Sequence, residues 1–202
     1  ELHLDFQLMK KRLDSLAGVF LESSPRPYDG PALEWIEELC LELQARDPVS
    51  VPEFKSRCRL LITAMEMDAA AKGRLFPFTV DLLEDLGSKG IKLGVITRNC
   101  TAAVRTVFPE IDRYVQVFLA REDATRIKPH PEHLLQAIRL LGVEPRETLM
   151  IGDHRIDIQT AKQAGTLSGG VFSGKLSAAE LQAEAPDFLA ADVSALMEEL
   201  FG

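Results

Sequence analysis

One short stretch constrains the fold of this chain more than any other: residues 148–157, with the sequence TLMIGDHRID. Leu149, Met150 and Ile151 form an apolar run between polar residues, which predicts a short and fully buried strand. Gly152 should allow a tight turn at the end of that strand. Asp153 is therefore expected at the carboxyl end of a strand, where open α/β sheets bind their ligands.

Two carboxylates lie close together in this stretch, and they admit two interpretations. Asp153 and Asp157 have only Arg155 as an obvious cationic neighbour, which favours a hard cation such as Mg²⁺ as their partner. The alternative is that Asp153 caps the next helix and that Asp157 interacts with the dipole of its first turn. These ten residues alone do not decide between the two.

Composition excludes several classes of protein. The 202-residue chain has a net charge of −8 and contains no basic cluster longer than residues 9–12, so nucleic acid is not an expected partner. Cys40, Cys58 and Cys100 lack metal-ligand spacing, and their odd number argues against a disulfide framework. No apolar run approaches membrane-spanning length and no signal peptide is visible, so we expect no membrane partner and a cytoplasmic location.

The first third of the chain has only helical patterns. An apolar stripe predicts a helix over residues 5–16, which Gly18 should end. Pro31 should open a second helix, and Ser50 with Glu53 has the sequence of a capping box for a third. We therefore predict a small all-helical domain over residues 1–74.

From residue 75 onward, predicted strands alternate with predicted helices. Alternation of this kind implies right-handed crossovers and a parallel sheet that is covered on both faces. Residues 75–202 are therefore predicted to form a doubly wound α/β domain. Its predicted strands cover residues 91–96, 115–120, 149–151, 167–172 and 187–189.

The predicted strand at residues 91–96 ends in Thr97, Arg98 and Asn99. A hydroxyl, a side-chain amide and free backbone N–H groups at that position would cradle a phosphate oxygen. The alternative is that Thr97 or Asn99 simply caps the helix that follows.

Lys128 lies between two predicted elements and directly before Pro129. The proline prevents a helix and holds the lysine in an extended segment, which is a means of aiming one positive charge. The alternative is a solvated surface lysine. His130 and His133 have no third ligand of matching kind nearby, so a zinc site is not favoured.

Taken together and in this order, these motifs resemble motifs two, three and four of the haloacid dehalogenase (HAD) superfamily. The resemblance is to its phosphoglycolate-phosphatase-like branch and covers residues 75–172. That branch inserts a helical cap domain where residues 1–74 are predicted to be helical, so the second domain would be a HAD-like Rossmannoid core. The motifs are Thr97-Arg98-Asn99, Arg121-Glu122-Asp123-Ala124 leading to Lys128-Pro129-His130-Pro131, and Gly152-Asp153-x-x-x-Asp157 with Ala164-Gly165.

The resemblance implies Mg²⁺-dependent hydrolysis of a phosphate monoester through a phospho-aspartyl intermediate. The substrate would be a small phosphorylated metabolite. Thr97 would hydrogen-bond the transferring phosphoryl group, and Lys128 would offset charge on that group and on the nucleophile. Asp153 would hold the Mg²⁺, and Asp157 would support it directly or through water.

Substrate contacts are the least determined part of the implied site. Arg98 and Asn99 are expected to be further neighbours of the substrate or the phosphate. Residues 24–29, including Arg26 and Tyr28, and residues 46–50 lie in loops of the cap and are expected to contribute specificity, since caps close over such sites. The oligomeric state is expected to be a monomer or a homodimer.

The family's first motif, a strand ending in Asp-x-Asp that supplies the nucleophile, is not found in this chain. The nearest candidate, Asp5, has Gln7 where the second aspartate should be. Loss of a central strand should cost more than the ~5–15 kcal/mol by which a domain is stable. We therefore expect the core's first strand in about ten to fifteen residues upstream of Glu1. The alternatives are an inactive HAD-like binding or regulatory protein, a strand supplied by a partner chain, and a phosphomutase on the same fold.

Overall fold

The computed structural model describes residues 3–21, 28, 30–174 and 176–201. The chain divides into two compact units. One comprises Glu1–Arg74 with Ala102–Val107, and the other comprises Leu75–Thr101 with Phe108–Gly202. The predicted boundary between folding domains stays a prediction, because compactness does not show whether either part folds alone.

Helices and short parallel strands make up the regular structure, in the order that the sequence predicts. The first helices are α1 (Phe6–Leu21), α2 (Ala32–Arg46) and α3 (Val51–Ala70). The remaining elements are α4 (Thr79–Ser88), β1 (Gly94–Ile96), α5 (Thr101–Val107), β2 (Val117–Leu119), α6 (Glu132–Leu141), β3 (Leu149–Gly152), α7 (Arg155–Ala164), β4 (Leu167–Val171), α8 (Ala178–Gln182), β5 (Phe188–Ala190) and α9 (Val193–Phe201). Short 3₁₀ helices lie between these elements, among them Pro48–Ser50 and Arg121–Asp123.

Helices α1, α2 and α3 pack against one another around one apolar core. Trp35 belongs to this core. Cys40 and Cys58 lie in it as free thiols, and burial raises the pKa of the Cys58 thiol to about 12. The most deeply buried members are Leu13, Ala17, Leu43, Phe54 and Cys58.

Two predicted details of the helical segment are wrong. Helix α1 continues through Gly18 to Leu21, which is buried. A glycine inside a helix costs about 1 kcal/mol, less than the roughly 1.5–3 kcal/mol that burial of a leucine contributes. The Ser50 side chain makes no capping bond at α3; its hydroxyl donates instead to the carboxylate of Asp47.

The two loops that were predicted to contribute specificity are described to different extents. Of residues 24–29, only Tyr28 lies within the described residues, where its ring stacks on Trp35 at 6.1 Å. Arg46 donates to the Leu21 carbonyl at 3.1 Å and pairs with Glu42. Any role of these loops in specificity stays a prediction.

The α/β unit contains two parallel sheets. Strand β1 pairs with β2, and β3, β4 and β5 form a second sheet in that order. Parallel pairing confirms the predicted α/β fold class. The first strand is shorter than predicted, because regular pairing begins only at Gly94.

The two sheets lie side by side between the same helices. Ile96 of β1 packs into one apolar cluster with Met150 of β3, under α6 and α7. Leu149 and Ile151, which flank Met150, join a second cluster with α4 and α9 and with Leu93. Because neighbouring strand residues point to opposite faces, these clusters cover the two faces of one layer.

Strands β1 and β3 each have one unpaired edge, since no described strand bonds to the side of β1 away from β2 or to the side of β3 away from β4. Val117 and Leu119 of β2 pack in a third cluster, to which Ile96 of β1 also belongs. Among the described residues of β1 and β2, only Ile96 belongs both to this cluster and to the cluster of Met150. The unpaired edge of β1 therefore faces that of β3. Val95, Ile96 and Ile151 are only partly buried there, whereas the paired strand β4 is buried from Ser168 to Val171.

No helix in the described ranges is long and apolar enough to cross a membrane. The expected cytoplasmic location and the expected absence of nucleic-acid partners stay predictions.

Stability of the helical unit should depend strongly on one aromatic contact. Phe54 is 1% exposed and meets the Phe20 ring edge-on at 5.3 Å. Phe54→Ala should lower the free energy of unfolding by about 3–5 kcal/mol, because it leaves a cavity. The matched control on the same helix, Leu60→Ala, removes a side chain that is 67% exposed and should cost less than about 0.5 kcal/mol. Urea denaturation followed by circular dichroism measures both; equal losses would contradict the packing described.

Candidate active site

The centre of the candidate site is an ion pair between Lys128 and Asp157. The Lys128 ammonium donates to Oδ1 of Asp157 at 2.7 Å, and the two side chains are only 12% and 9% exposed. Oδ2 of Asp157 accepts the backbone N–H of His154 at 3.2 Å. The sequence suggested only Arg155 as a cationic neighbour, so this partner, 29 residues away, was missed. Lys128 is not the solvated surface lysine of the alternative interpretation.

Gly152 is required for close approach rather than for an unusual backbone turn. A Cβ atom at this position would collide with the carboxyl group and the Cβ atom of Asp157. The backbone of Gly152 is not in the left-handed region. Glycine is therefore required here, but the reason is not the predicted turn. The reason is that the Asp157 side chain lies over the end of β3.

The segment that carries Lys128 is held from its C-terminal side. The Lys128–Pro129 peptide is cis, and Pro131 directly precedes α6. Nδ1 of His130 accepts the N–H of Glu132 at 3.1 Å. Capping of α6 therefore fixes the residues that follow the lysine.

Asp123 holds the same segment from its N-terminal side. Its carboxylate accepts the N–H of Ala120 at 2.8 Å, and its carbonyl accepts from Nε2 of Gln136, on α6, at 2.9 Å. The connection from β2 to α6 is thus bonded at both ends. The predicted extended segment at Lys128 is wrong, because Lys128 lies in a turn that the His130 N–H closes by donating to the Ile127 carbonyl at 2.9 Å.

Asp153 has an exposed side chain that lies against Gly174, where an added Cβ would collide with it. Among the described residues, its carboxylate makes no hydrogen bond or ion pair. The alternative interpretation, an N-cap for the next helix, is wrong for Asp153, since Nδ1 of His154 accepts the N–H of Ile156 at 3.2 Å and caps α7. Asp153 is therefore an available oxygen ligand at the end of β3.

The residues Thr97, Arg98 and Asn99 form the turn after β1. Thr97 donates its N–H to the Leu119 carbonyl at 3.0 Å, and its hydroxyl oxygen accepts the N–H of Asn99 at 3.1 Å. Arg121 donates its N–H to the Asn99 carbonyl and its Nη1 to the Arg98 carbonyl, both at 3.1 Å. The turn is therefore rigid.

Helix α5 is capped by a residue that sequence reasoning did not consider. The carboxylate of Glu122 accepts the N–H of Thr101, the first residue of α5, at 3.1 Å. The alternative interpretation was that Thr97 or Asn99 caps this helix. Capping by Glu122 means that neither residue is required for it. The Thr97 hydroxyl still has its own proton to donate.

The ends of β1 and β3 lie within electrostatic reach of each other. Neighbouring atoms desolvate the His154 ring enough to lower its pKa, although much of the residue's surface is exposed. The charges of Arg155 and Arg98 lower that pKa further, whereas Asp157 and Asp153 oppose the shift. Arg98, after β1, is therefore one of the charges that influence the His154 ring, after β3. No hydrogen bond within the described part of the chain joins Thr97 directly to Lys128 or Asp153.

His133 was not predicted as part of this region. It lies on α6, is 0% exposed and belongs to the buried face of that helix. Desolvation lowers the pKa of His133 to about 4, and the charge of Lys128 lowers it too, whereas the Leu119 carbonyl and Asp123 oppose the shift. The apolar spacing of α6 indicates that His133 lies on the buried face of this helix. The residues around it belong to distant segments of the chain, so the sequence does not indicate them.

The carboxylates present would supply only some of the ligands that a magnesium ion needs. Within the described residues, no group of three or more histidine, cysteine, aspartate or glutamate side chains could hold a metal. Mg²⁺ takes one or two protein carboxylates together with waters and substrate oxygens. Asp153 fits that role, whereas Asp157 already binds Lys128 and the His154 N–H. A further oxygen ligand is needed to complete the site.

Sequence comparison identifies the family. The haloacid dehalogenase-like hydrolase family matches residues 42–171, which include Thr97, Lys128, Asp153 and Asp157. This chain is a haloacid dehalogenase-like hydrolase by family.

Relatives of this HAD chain include named phosphatases. The phosphoglycolate phosphatase of Shigella boydii is 31% identical over 157 residues, which cover 76% of this chain and 62% of the relative. Pyrophosphatase PpaX of Bacillus cereus is 33% identical over 58% of this chain and 55% of its own length. A solved HAD hydrolase (family IA, variant 3) from Entamoeba histolytica has a TM-score of 0.67 at 16% identity, covering 100% of this chain and 95% of that one.

These likenesses establish the family and the fold. The structural likeness, at this identity, speaks for the HAD fold alone. The chain spans 62% and 55% of the length of the two curated relatives.

Removal of the buried cation should destabilise this HAD core. Lys128→Met leaves the Asp157 carboxylate without its partner and should lower the free energy of unfolding by about 3–5 kcal/mol. The matched control is Lys89→Met, which breaks an exposed pair with Asp85 at 2.8 Å and should cost less than about 1 kcal/mol. Urea denaturation measures both. Adding Asp157→Asn to Lys128→Met should recover stability; no recovery would mean that the pair is not coupled.

The stability of the HAD core should also depend on the protonation of His133. The unfolded chain binds this proton below the ordinary pKa of 6.5, but the folded chain binds it only below about 4. Stability from the neutral ring is therefore complete above pH 6.5 and is lost, by about 3 kcal/mol, as the pH falls to about 4. His133→Leu should remove this part of the pH dependence. Urea denaturation at pH 7.5, 5.5 and 4.5 measures the difference; parallel pH profiles would contradict a neutral buried ring.

Proposed function

We propose that this HAD family member is a Mg²⁺-dependent phosphatase acting on a small phosphorylated metabolite. We further propose that its nucleophilic carboxylate lies on a strand that inserts between β1 and β3. The observation that carries the proposal is the position of the Lys128–Asp157 pair and the available Asp153, beside the break between the two sheets.

The break in the sheet supports an inserted strand. The facing edges of β1 and β3 are unpaired in the described structure. Ile96 of β1 shares one apolar cluster with β3, and Leu93, which directly precedes β1, shares the other. An unpaired edge presents backbone N–H and C=O groups to a further strand. A parallel strand there would end beside Thr97 and Asp153, so a carboxylate at its carboxyl end would enter the site.

Each described residue then has a distinct part in the proposed reaction. The Thr97 hydroxyl would donate to an oxygen of the transferring phosphoryl group. The Lys128 ammonium would lie between Asp157 and the incoming carboxylate, and would reduce repulsion between that carboxylate and the phosphoryl oxygens. Asp157 acts mainly by holding Lys128, and its predicted support of the metal stays a prediction.

Asp153 and a carboxylate of the inserted strand would hold the Mg²⁺. When bound, the metal would supply positive charge to the phosphoryl oxygens. Asp153 is suited to this because it lies at a strand end, is exposed and is not committed to a protein partner among the described residues.

The names of the relatives support phosphate chemistry. One is called a phosphoglycolate phosphatase and another a pyrophosphatase. Both names denote hydrolysis of a small phosphorylated compound, which fits a site with one aimed ammonium and one available carboxylate. The alternative is a HAD-like binding or regulatory protein, favoured by the fact that no described strand carries a carboxylate into the break.

Activity should require both the inserted strand and Asp153. The chain as its gene encodes it, with any residues that precede Glu1, should release phosphate from p-nitrophenyl phosphate only when Mg²⁺ is present. Asp153→Asn should lower kcat/KM about 100-fold or more, because a metal ligand is lost. Asp5→Asn should leave kcat/KM unchanged, since Asp5 caps α1 by accepting the Leu8 N–H.

The same assay separates the alternatives. Residues 1–202 alone should show no turnover, and a synthetic apolar strand peptide ending in aspartate should restore it. No turnover by the gene-encoded chain in the presence of Mg²⁺ would exclude the phosphatase and favour a binding protein. A sugar-phosphate isomer formed without free phosphate would identify a mutase. Specific activity (turnover per mole of protein) that rises with protein concentration would mean that a partner chain supplies the strand.

A further inference from the structure

Arg121 is a charged residue with a mostly buried side chain, and the proposed reaction assigns no part to it. It is the first residue of the 3₁₀ helix Arg121–Asp123, after β2, and its side chain is only 13% exposed. Withdrawal of a guanidinium from water is costly unless new hydrogen bonds replace those to water. The bonds that Arg121 makes therefore indicate what it does.

Arg121 binds the turn after β1 at two successive carbonyl groups. Its backbone N–H donates to the Asn99 carbonyl, and its Nη1 donates to the Arg98 carbonyl, both at 3.1 Å. Both bonds cross from the segment after β2 to the segment after β1, so they hold the two strand ends together. A guanidinium is planar and presents its N–H groups in fixed directions, so it also fixes the orientation of the carbonyl that it binds.

A single peptide group joins the guanidinium to the Thr97 hydroxyl. The Arg98 carbonyl and the Asn99 N–H belong to the same peptide, which is planar and rigid. Its carbonyl accepts from Nη1 of Arg121, and its N–H donates to the Thr97 hydroxyl oxygen, both at 3.1 Å. This hydrogen-bonded path therefore fixes the direction from which the hydroxyl accepts.

The Thr97 hydroxyl keeps its proton for a ligand. It donates to no group among the described residues, and the bond that it accepts restricts the directions in which its O–H can point. We propose that Arg121 is a positioning residue, which aims this hydroxyl at the transferring phosphoryl group through the Arg98–Asn99 peptide. The inference rests on the proposed function, which gives Thr97 its role, whereas the hydrogen-bonded path is independent of turnover.

A purely structural role for Arg121 makes a different prediction. If the residue only stabilises the fold, its loss should lower activity by the same factor whether or not Thr97 has a hydroxyl. If it acts through that hydroxyl, its loss should matter only when the hydroxyl is present. A double-mutant cycle with Thr97→Val, which removes the hydroxyl at nearly constant size, therefore distinguishes the two roles.

The kinetic test uses the gene-encoded chain with p-nitrophenyl phosphate and Mg²⁺. Arg121→Met should lower kcat about tenfold with little change in KM, because a misaimed donor is lost mainly from the transition state. In the Thr97→Val background the same substitution should change kcat less than about twofold. Arg121→Lys, which keeps a side-chain donor, should lose less than Arg121→Met. The control Arg113→Met removes an exposed guanidinium paired with Glu110 and should leave kcat unchanged.

Amide hydrogen exchange in the same ¹⁵N-labelled protein tests the hydrogen-bonded path without turnover. The Asn99 N–H should exchange about tenfold faster in Arg121→Met than in the wild type, because its peptide loses one anchor. The His154 N–H, which donates to Asp157, is the internal reference and should not change. Arg113→Met should leave the exchange of both amides unchanged.

Unchanged Asn99 exchange in Arg121→Met, or an equal loss of kcat with and without the Thr97 hydroxyl, would overturn the proposal. An absence of turnover in the wild type would contradict the proposed function, whereas faster Asn99 exchange in Arg121→Met would still support the hydrogen-bonded path. If Arg121→Met does not fold, the same comparisons made with Arg121→Lys decide, with smaller changes in the same directions expected.

Discussion

The ion pair between Lys128 and Asp157 is the interaction on which the candidate site depends. It joins the connection after β2 to the first turn of α7, two segments that are 29 residues apart in the chain. Partial burial makes such a pair costly to form, and its net contribution to stability is small compared with the cost of losing one partner. The fold admits it because Gly152 leaves room for the Asp157 side chain. We interpret it as a device that fixes one positive charge.

The α/β unit surrounds this pair with an incomplete sheet. Parallel strands normally lie in the interior with both edges paired, because their backbone groups need partners. Here β4 meets that condition, whereas β1 and β3 are each paired on one side only. The helices α6 and α7 on one face, with α4 and α9 on the other, hold the two sheets in one layer. The polar strand ends therefore converge on the break.

Local patterns in the sequence were enough to predict the element order and the residues at the strand ends. Apolar runs and the polar residues that follow them act over a few residues, so they can be read directly. Contacts between distant segments could not be predicted: the partner of Asp157, the glutamate that caps α5, and the neighbours of His133. The prediction at Ser50 failed for a related reason, because Asp47 competes for the same hydroxyl. Gly18 failed to end α1 because packing of Leu21 outweighed local preference.

The shortness of the strands beside the break has a consequence for self-association. Strand β1 has three residues and β3 has four, so a foreign strand could form only a few backbone bonds with either. Short edges are one of the means by which proteins avoid pairing with unrelated chains. A strand that fits must bond to both edges at once and present apolar side chains to the clusters on both faces. The break is therefore selective for length and side-chain pattern, and it discourages fibre-like stacking of one copy on the next.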